Sequence, residues 1–183
     1  MMMPWESEAG KKIWKNKTAF MTFIRGGLRR GLWNRHPHKI AVLNKKRYKI
    51  PNPNPKGKVK EVWGFDCEMC GNTFTIKEGQ VDHITPAGQL NQISDIQGFV
   101  ERLVCITEDD LRLVCKGCNN ALALAEKSGI SYEQAVAEKE AIAIQKKKGY
   151  DVAWLKERGI APATNAKLRR EQIVSKLTEN EYD

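Results

Sequence analysis

The chain predicts an α+β protein stapled by a structural zinc ion. Three observations lead there. Two Cys-x-x-C pairs, Cys67/Cys70 and Cys115/Cys118, have 44 residues between them. Short β-patterned stretches surround and separate them, and helical patterning fills both ends. The expected organisation is a basic helical N-terminal arm with a Pro-rich linker over 1–57, a zinc-bearing core over 58–129, and a helical C-terminal extension over 130–183.

In the arm, Ile13, Trp14, Phe20, Phe23, Ile24, Leu28 and Trp33 recur at helical spacing, so residues 10–34 read as an amphipathic helix. Gly26-Gly27 predicts a break in it. Residues 38–47 form a second short helix. Pro51, Pro53 and Pro55 exclude regular structure, and Pro-Asn-Pro-Asn-Pro-Lys-Gly reads as a semi-rigid linker.

In the core, residues 58–65, 73–76 and 80–85 are expected strands, the third carrying Asp82 and His83. Pro86-Ala-Gly begins a loop. Ser94 is placed as the N-cap of a helix running through Val104. Residues 111–114 alternate apolar and polar and run into Cys115, and Asn119 opens a helix that Gly129 ends. In the extension, Ser131-Tyr-Glu-Gln is a capping-box pattern with Gln134 at the third position. That helix closes at Lys146–Lys148 and Gly149, and two more are expected over 151–158 and 164–178. Tyr132, Trp154, Leu155, Ile160, Leu168, Ile173 and Leu177 supply apolar faces there, expected to pack internally or, alternatively, on a partner.

Net charge is +9, unevenly spread: sixteen of the 31 Lys/Arg but two of the 22 Asp/Glu fall in residues 1–60. The first third carries +14 and the rest −5. A basic, aromatic-interleaved arm on a near-neutral body fits phosphate-backbone binding, with Arg25, Arg29, Arg30, Lys45, Lys46 and Arg47 as the expected contacts. The competing reading is a solvated, solubilising tail. No stretch approaches the ~20 apolar residues of a membrane span, so no membrane partner is expected. Met-Met-Met-Pro-Trp-Glu lacks the pattern of a secretory signal, which points to a cytoplasmic protein. Cysteines there are expected as thiols or metal ligands rather than disulfides.

Cys67, Cys70, Cys115 and Cys118 match a closed, tetrahedral, all-cysteine zinc site, with free thiols or a redox pair as the alternatives. Four thiolates leave no open position, so this zinc is structural. Cys105, between Val104 and Ile106, is expected as a small buried hydrophobe. Asp82 and His83 are neighbours on a strand and point to opposite faces. The carboxylate suits a divalent cation, and a neutral imidazole can take a proton from water. Asn119 follows a zinc cysteine, and its carboxamide oxygen is a hard ligand suited to Mg2+. The bland readings are a surface Asp, a satisfied His and an Asn N-cap.

The order C-x-x-C, V-D-H-I, L-x-L-V-C-x-x-C-N resembles the HNH (ββα-metal, His-Me finger) endonucleases, particularly the small phage-type ones, over residues 62–128. Ile96–Cys105 resembles an insert of those phage proteins, and Arg25–Trp33, less specifically, their N-terminal arm. The resemblance implies a ββα-metal core that hydrolyses DNA phosphodiester bonds with Mg2+ or Mn2+. Asp82 and Asn119 would be the metal ligands and His83 the general base. Asn at the last position resembles phage endonuclease VII, a junction-resolving member. Asp110 stands where the family's middle Asn is usual, and Leu122 where many relatives have Lys, with Lys116 or Lys127 as substitutes. A phage packaging or host protein as partner, a homodimer for double-strand cleavage, and the cytoplasm of an infected bacterial host all follow as expectations. Two other classes compete: a non-catalytic zinc-ribbon DNA-binding module, and a phage protein whose C-terminal helices recruit a partner.

Overall fold

The computed structural model describes residues 2–54, 56 and 58–179. Pro55 and Gly57 of the expected linker lie outside the described residues. The architecture is mixed α+β, rich in helix with small antiparallel sheets. The chain divides into two compact units that meet in sequence at Cys115/Lys116, inside the 58–129 segment. No helix among the described residues is long and apolar enough to cross a membrane.

The first unit opens with α1 (Glu8–Lys11) and α2 (Lys17–Gly31), capped by the Ser7 and Asn16 side chains. The single helix expected over 10–34 is therefore interrupted near 12–16, where Asn16 restarts it, and α2 runs unbroken through Gly26-Gly27. Two glycines weaken a helix by about 2 kcal/mol in isolation. Burial of Met21 and the packing of α2 onto the following turn offset this. After a 3-10 turn at Trp33–Arg35, Pro37 starts α3 (Pro37–Lys46), as fits the first turn of a helix, where no backbone N–H is needed.

The next element was not expected. β1 (Tyr48–Pro51) pairs antiparallel with β2 (Glu61–Asp66), which pairs with β3 (Thr73–Thr75). Pro51 does not exclude a strand because β1 is the sheet edge, where a missing N–H is tolerated. Gly64 suits β2, since a Cβ there would run into the Ile50 side chain of β1.

β4 (Gly79–His83) pairs with β5 (Leu111–Cys115) in a second antiparallel sheet, and α3 packs on both strands. Between them lies α4 (Ile96–Val104). Ser94 is not its cap. A 3-10 turn at Ile93–Asp95 precedes α4, and Asp95 Oδ2 accepts the Asn91 and Gln92 N–H groups. The core of this unit is Met21, Val42, Phe65, Phe99, Leu103, Leu113 and Val114. Each such side chain contributes about 1.5–3 kcal/mol on burial.

The described residues of the second unit form four helices: α5 (Lys116–Ser128), α6 (Tyr132–Lys146), α7 (Tyr150–Glu157) and α8 (Ala166–Glu179). The expected Ser131 cap is present, its hydroxyl accepting the Gln134 N–H at 3.1 Å. Ala141, Ile144, Trp154, Leu155 and Ile173 form a core of their own, with Ile160, Val174 and Leu177 packed against it. Asp151 and Arg169 pair at 2.7 Å between α7 and α8, and Arg169 also donates to the Ala163 and Thr164 carbonyls.

Candidate functional site

The cysteine cluster is built by a tight turn after β2. Gly71 adopts φ +70°, and its N–H returns to the Cys67 carbonyl at 2.8 Å, which curls Cys67 and Cys70 toward one point. Cys115 ends β5, and its N–H donates to Cys67 Sγ at 3.2 Å. The sulfurs of Cys67, Cys70, Cys115 and Cys118 all lie within 4.8 Å of one another. Zinc–sulfur bonds of about 2.3 Å set tetrahedral sulfurs about 3.8 Å apart, inside that span. Burial pushes the Cys67 thiol up, but N–H groups of Cys115, Cys70 and Met69 and the Cys70 thiol outweigh it and bring it down to about 7. A thiolate favoured before any cation arrives is what a zinc ligand needs. The cluster fits a structural zinc. Cys105 takes no part and, against expectation, is exposed at the end of α4.

Register places Arg112 opposite Asp82 and Leu111 opposite His83. Arg112 clasps one carboxylate oxygen, with Nη2 and Nε at 3.1 and 3.3 Å from Asp82 Oδ2. Oδ1 is left without a hydrogen bond among the described residues. Asp82 is half-buried, while Val81 and His83 point to the buried face.

His83 is only 8% exposed. Its Nε2 lies 3.2 Å from the Leu103 carbonyl, which can only accept, so Nε2 carries the proton and Nδ1 the lone pair. The Trp33 indole lies over the imidazole, ring centres 4.2 Å apart and planes inclined by 33°. His36 Nε2 donates to the next carbonyl, Val104, at 2.9 Å. Two imidazoles from segments far apart in sequence thus dock on consecutive carbonyls at the end of α4. Burial holds His83 below the usual imidazole value. Arg29 and His36 push the same way, and the Leu103 carbonyl and Asp82 oppose them.

The other expected site residues divide. Arg25, Arg29 and Arg30 stand exposed along α2. Lys45 pairs with Glu108 at 3.5 Å and Lys46 with Glu68 at 2.7 Å. Arg47 lies over Trp63 at 4.6 Å, and Lys49 over the same ring at 4.3 Å. Asn119 does not open its helix. It is the fourth residue of α5, which starts directly from β5 at Lys116, so an N-cap role is ruled out. Asp110 closes a 3-10 turn, its carboxylate accepting the Thr107 N–H and hydroxyl and its carbonyl the Ile84 N–H just after His83.

Sequence reasoning missed Arg112, Trp33 and His36. Pairing Val81 with Leu113 as inward residues would have set Arg112 against Asp82. Nothing local announces the Trp33–His83 stack. Comparison with family models, curated proteins and solved structures gives no match.

Proposed function

We propose that the protein is a metal-dependent HNH-type DNA endonuclease, phage-encoded, that nicks phosphodiester bonds. One observation carries the reading. A zinc-fitting cluster of four cysteines sits at the end of an antiparallel strand pair whose other strand carries a half-buried carboxylate on one face and an oriented imidazole on the other. The chain order β4, β5, α5 supports a ββα-metal core.

In this reading Arg112 fixes the Asp82 carboxylate through Oδ2, and Asp82 and Asn119 would be the residues to hold a divalent cation. A bound Mg2+ or Mn2+ would offset negative charge developing at phosphorus and at the leaving oxygen. His83 takes the proton of the attacking water at Nδ1, because Nε2 is committed to Leu103. Its lowered pKa keeps it unprotonated at neutral pH, as a base must be. Trp33 holds the ring plane, and exposed Arg25, Arg29 and Arg30 hold the DNA backbone.

The burial of His83 and the Arg112 clasp on Asp82 favour a second reading, a zinc module that binds DNA without cutting it. Plasmid nicking separates the two. Purified protein should convert supercoiled plasmid to the open circle in Mg2+ or Mn2+ but not in EDTA, and His83→Ala should lower the rate by at least about 100-fold. Metal-independent binding without nicking by zinc-loaded wild type would establish the second reading.

A further inference from the structure

We infer that a cleft between α2 and the 87–92 loop is a subsite for one backbone phosphate of DNA, a few nucleotides from the bond the His83 site would cut. The inference rests on the nuclease reading above.

The cleft encloses about 160 Å³. A water takes about 30 Å³, so there is room for a phosphate group and its solvent. Thr18, Thr22 and Arg25 line one wall, at the i, i+4, i+7 spacing that shares one face of a helix. Gln89 and Asn91 line the other. The floor is Met21 and Leu90, 2% and 5% exposed, which gives a firm apolar base.

The walls are rich in donors. The two hydroxyls, the guanidinium and the amide nitrogens all donate, and no carboxylate lines the cleft. Asn91 Nδ2 points to Gln89 Oε1 at 3.4 Å, so the Gln89 carbonyl is engaged and its amide nitrogen is the group left to donate. Beyond the helix's own backbone bonds, the side chains of Thr18, Thr22 and Arg25 make no hydrogen bond to other described residues. A set of donors around one cation, most of them uncommitted, matches the oxygens of a phosphodiester. The loop wall is fixed in advance. Asp95 Oδ2 holds the Asn91 and Gln92 N–H groups at 3.0 Å each, and Arg102 Nε holds the Ala87 carbonyl at 2.9 Å.

The position in the chain selects a polymer rather than a free anion. From Arg25 the helix continues through Arg29 and Arg30 toward Trp33, which covers His83. Eight residues at 1.5 Å each span about 12 Å. One strand of duplex DNA carries a phosphate every 3.4 Å along the axis, so the cleft falls roughly three or four nucleotides from the cut.

Two measurements on the full-length, zinc-loaded protein test this. The first is the salt dependence of binding to a fluorescent duplex in EDTA. Arg25→Gln should weaken binding about tenfold and reduce the log–log slope by about 0.9, the loss of one neutralised phosphate. Thr22→Val, equal in volume, should weaken binding with little change of slope. The second is cleavage in Mg2+ of duplexes bearing one uncharged methylphosphonate at successive positions. Wild type should lose rate at one position about three or four nucleotides from the cut, and Arg25→Gln should be indifferent there. Unchanged affinity and slope in both variants would overturn the subsite even if cleavage is normal. The expected slope change with no cleavage would retain the subsite and overturn the nuclease.

Discussion

At the scale of the residue, His83 depends on two neighbours, Leu103 and Trp33, that its own sequence context does not reveal. Asp82-His83 was legible as a carboxylate beside an imidazole, because adjacency and strand alternation are local facts. That Leu103 selects Nε2 as the donor and Trp33 shields one face depends on contacts between distant segments. Because burial is the largest cause of its lowered pKa, thinning that cover should raise it. Trp33→Phe is expected to cost about 1–2 kcal/mol and to move the His83 titration midpoint up toward 6.5, as read from imidazole NMR shifts. In the nuclease reading, the acid limb of the nicking rate should move to higher pH with it. A midpoint that stays put while stability falls would limit Trp33 to packing. The sign for folding is consistent: with a depressed imidazole pKa the native chain binds its proton later than the unfolded one. His83 therefore adds stability above pH 6.5 that is lost as pH falls through the lower native value.

At the scale of the element, periodicity located strands and helices well where local rules act alone. Ser131 caps α6 and Leu111–Cys115 is a strand because each pattern is self-contained. The errors arose where tertiary structure overrode propensity. Pro51 is accepted at an edge, Gly26-Gly27 is carried by packing, and α5 absorbs the second cysteine pair's turn instead of starting after it. The α7–α8 pair allows a separate test. Arg169 holds the Asp151 carboxyl below its usual value of 3.8. That ion pair contributes above pH 3.8, and its contribution disappears as pH falls through the lower native value. Asp151→Asn should lower stability at pH 7 by about 2 kcal/mol, with the gap to wild type closing in acid. Equal thermal melts of the two proteins at pH 7 would show the pair to be dispensable.

At the scale of the whole molecule, the four cysteines were legible because metal-ligand spacing is a strong pattern, and their sulfurs do converge. The division of the chain at Cys115/Lys116 was not, since nothing in composition marks it. Native mass spectrometry should find one zinc per chain. Chelation or Cys118→Ser should release it and lower the melting temperature by well over about 10 °C, since the binding energy of a structural zinc is folding energy. A metal-free protein with an unchanged melt would exclude that role. The docking of His36 and His83 on consecutive carbonyls of α4 has a bearing on protein engineering. Replacing everything ahead of the proline stretch with a foreign segment would take away Trp33 and His36 as well as the arginines. A functional chimera would have to keep residues 33–36 native and splice upstream of them, so the useful module boundary lies within the arm and not at its visible linker.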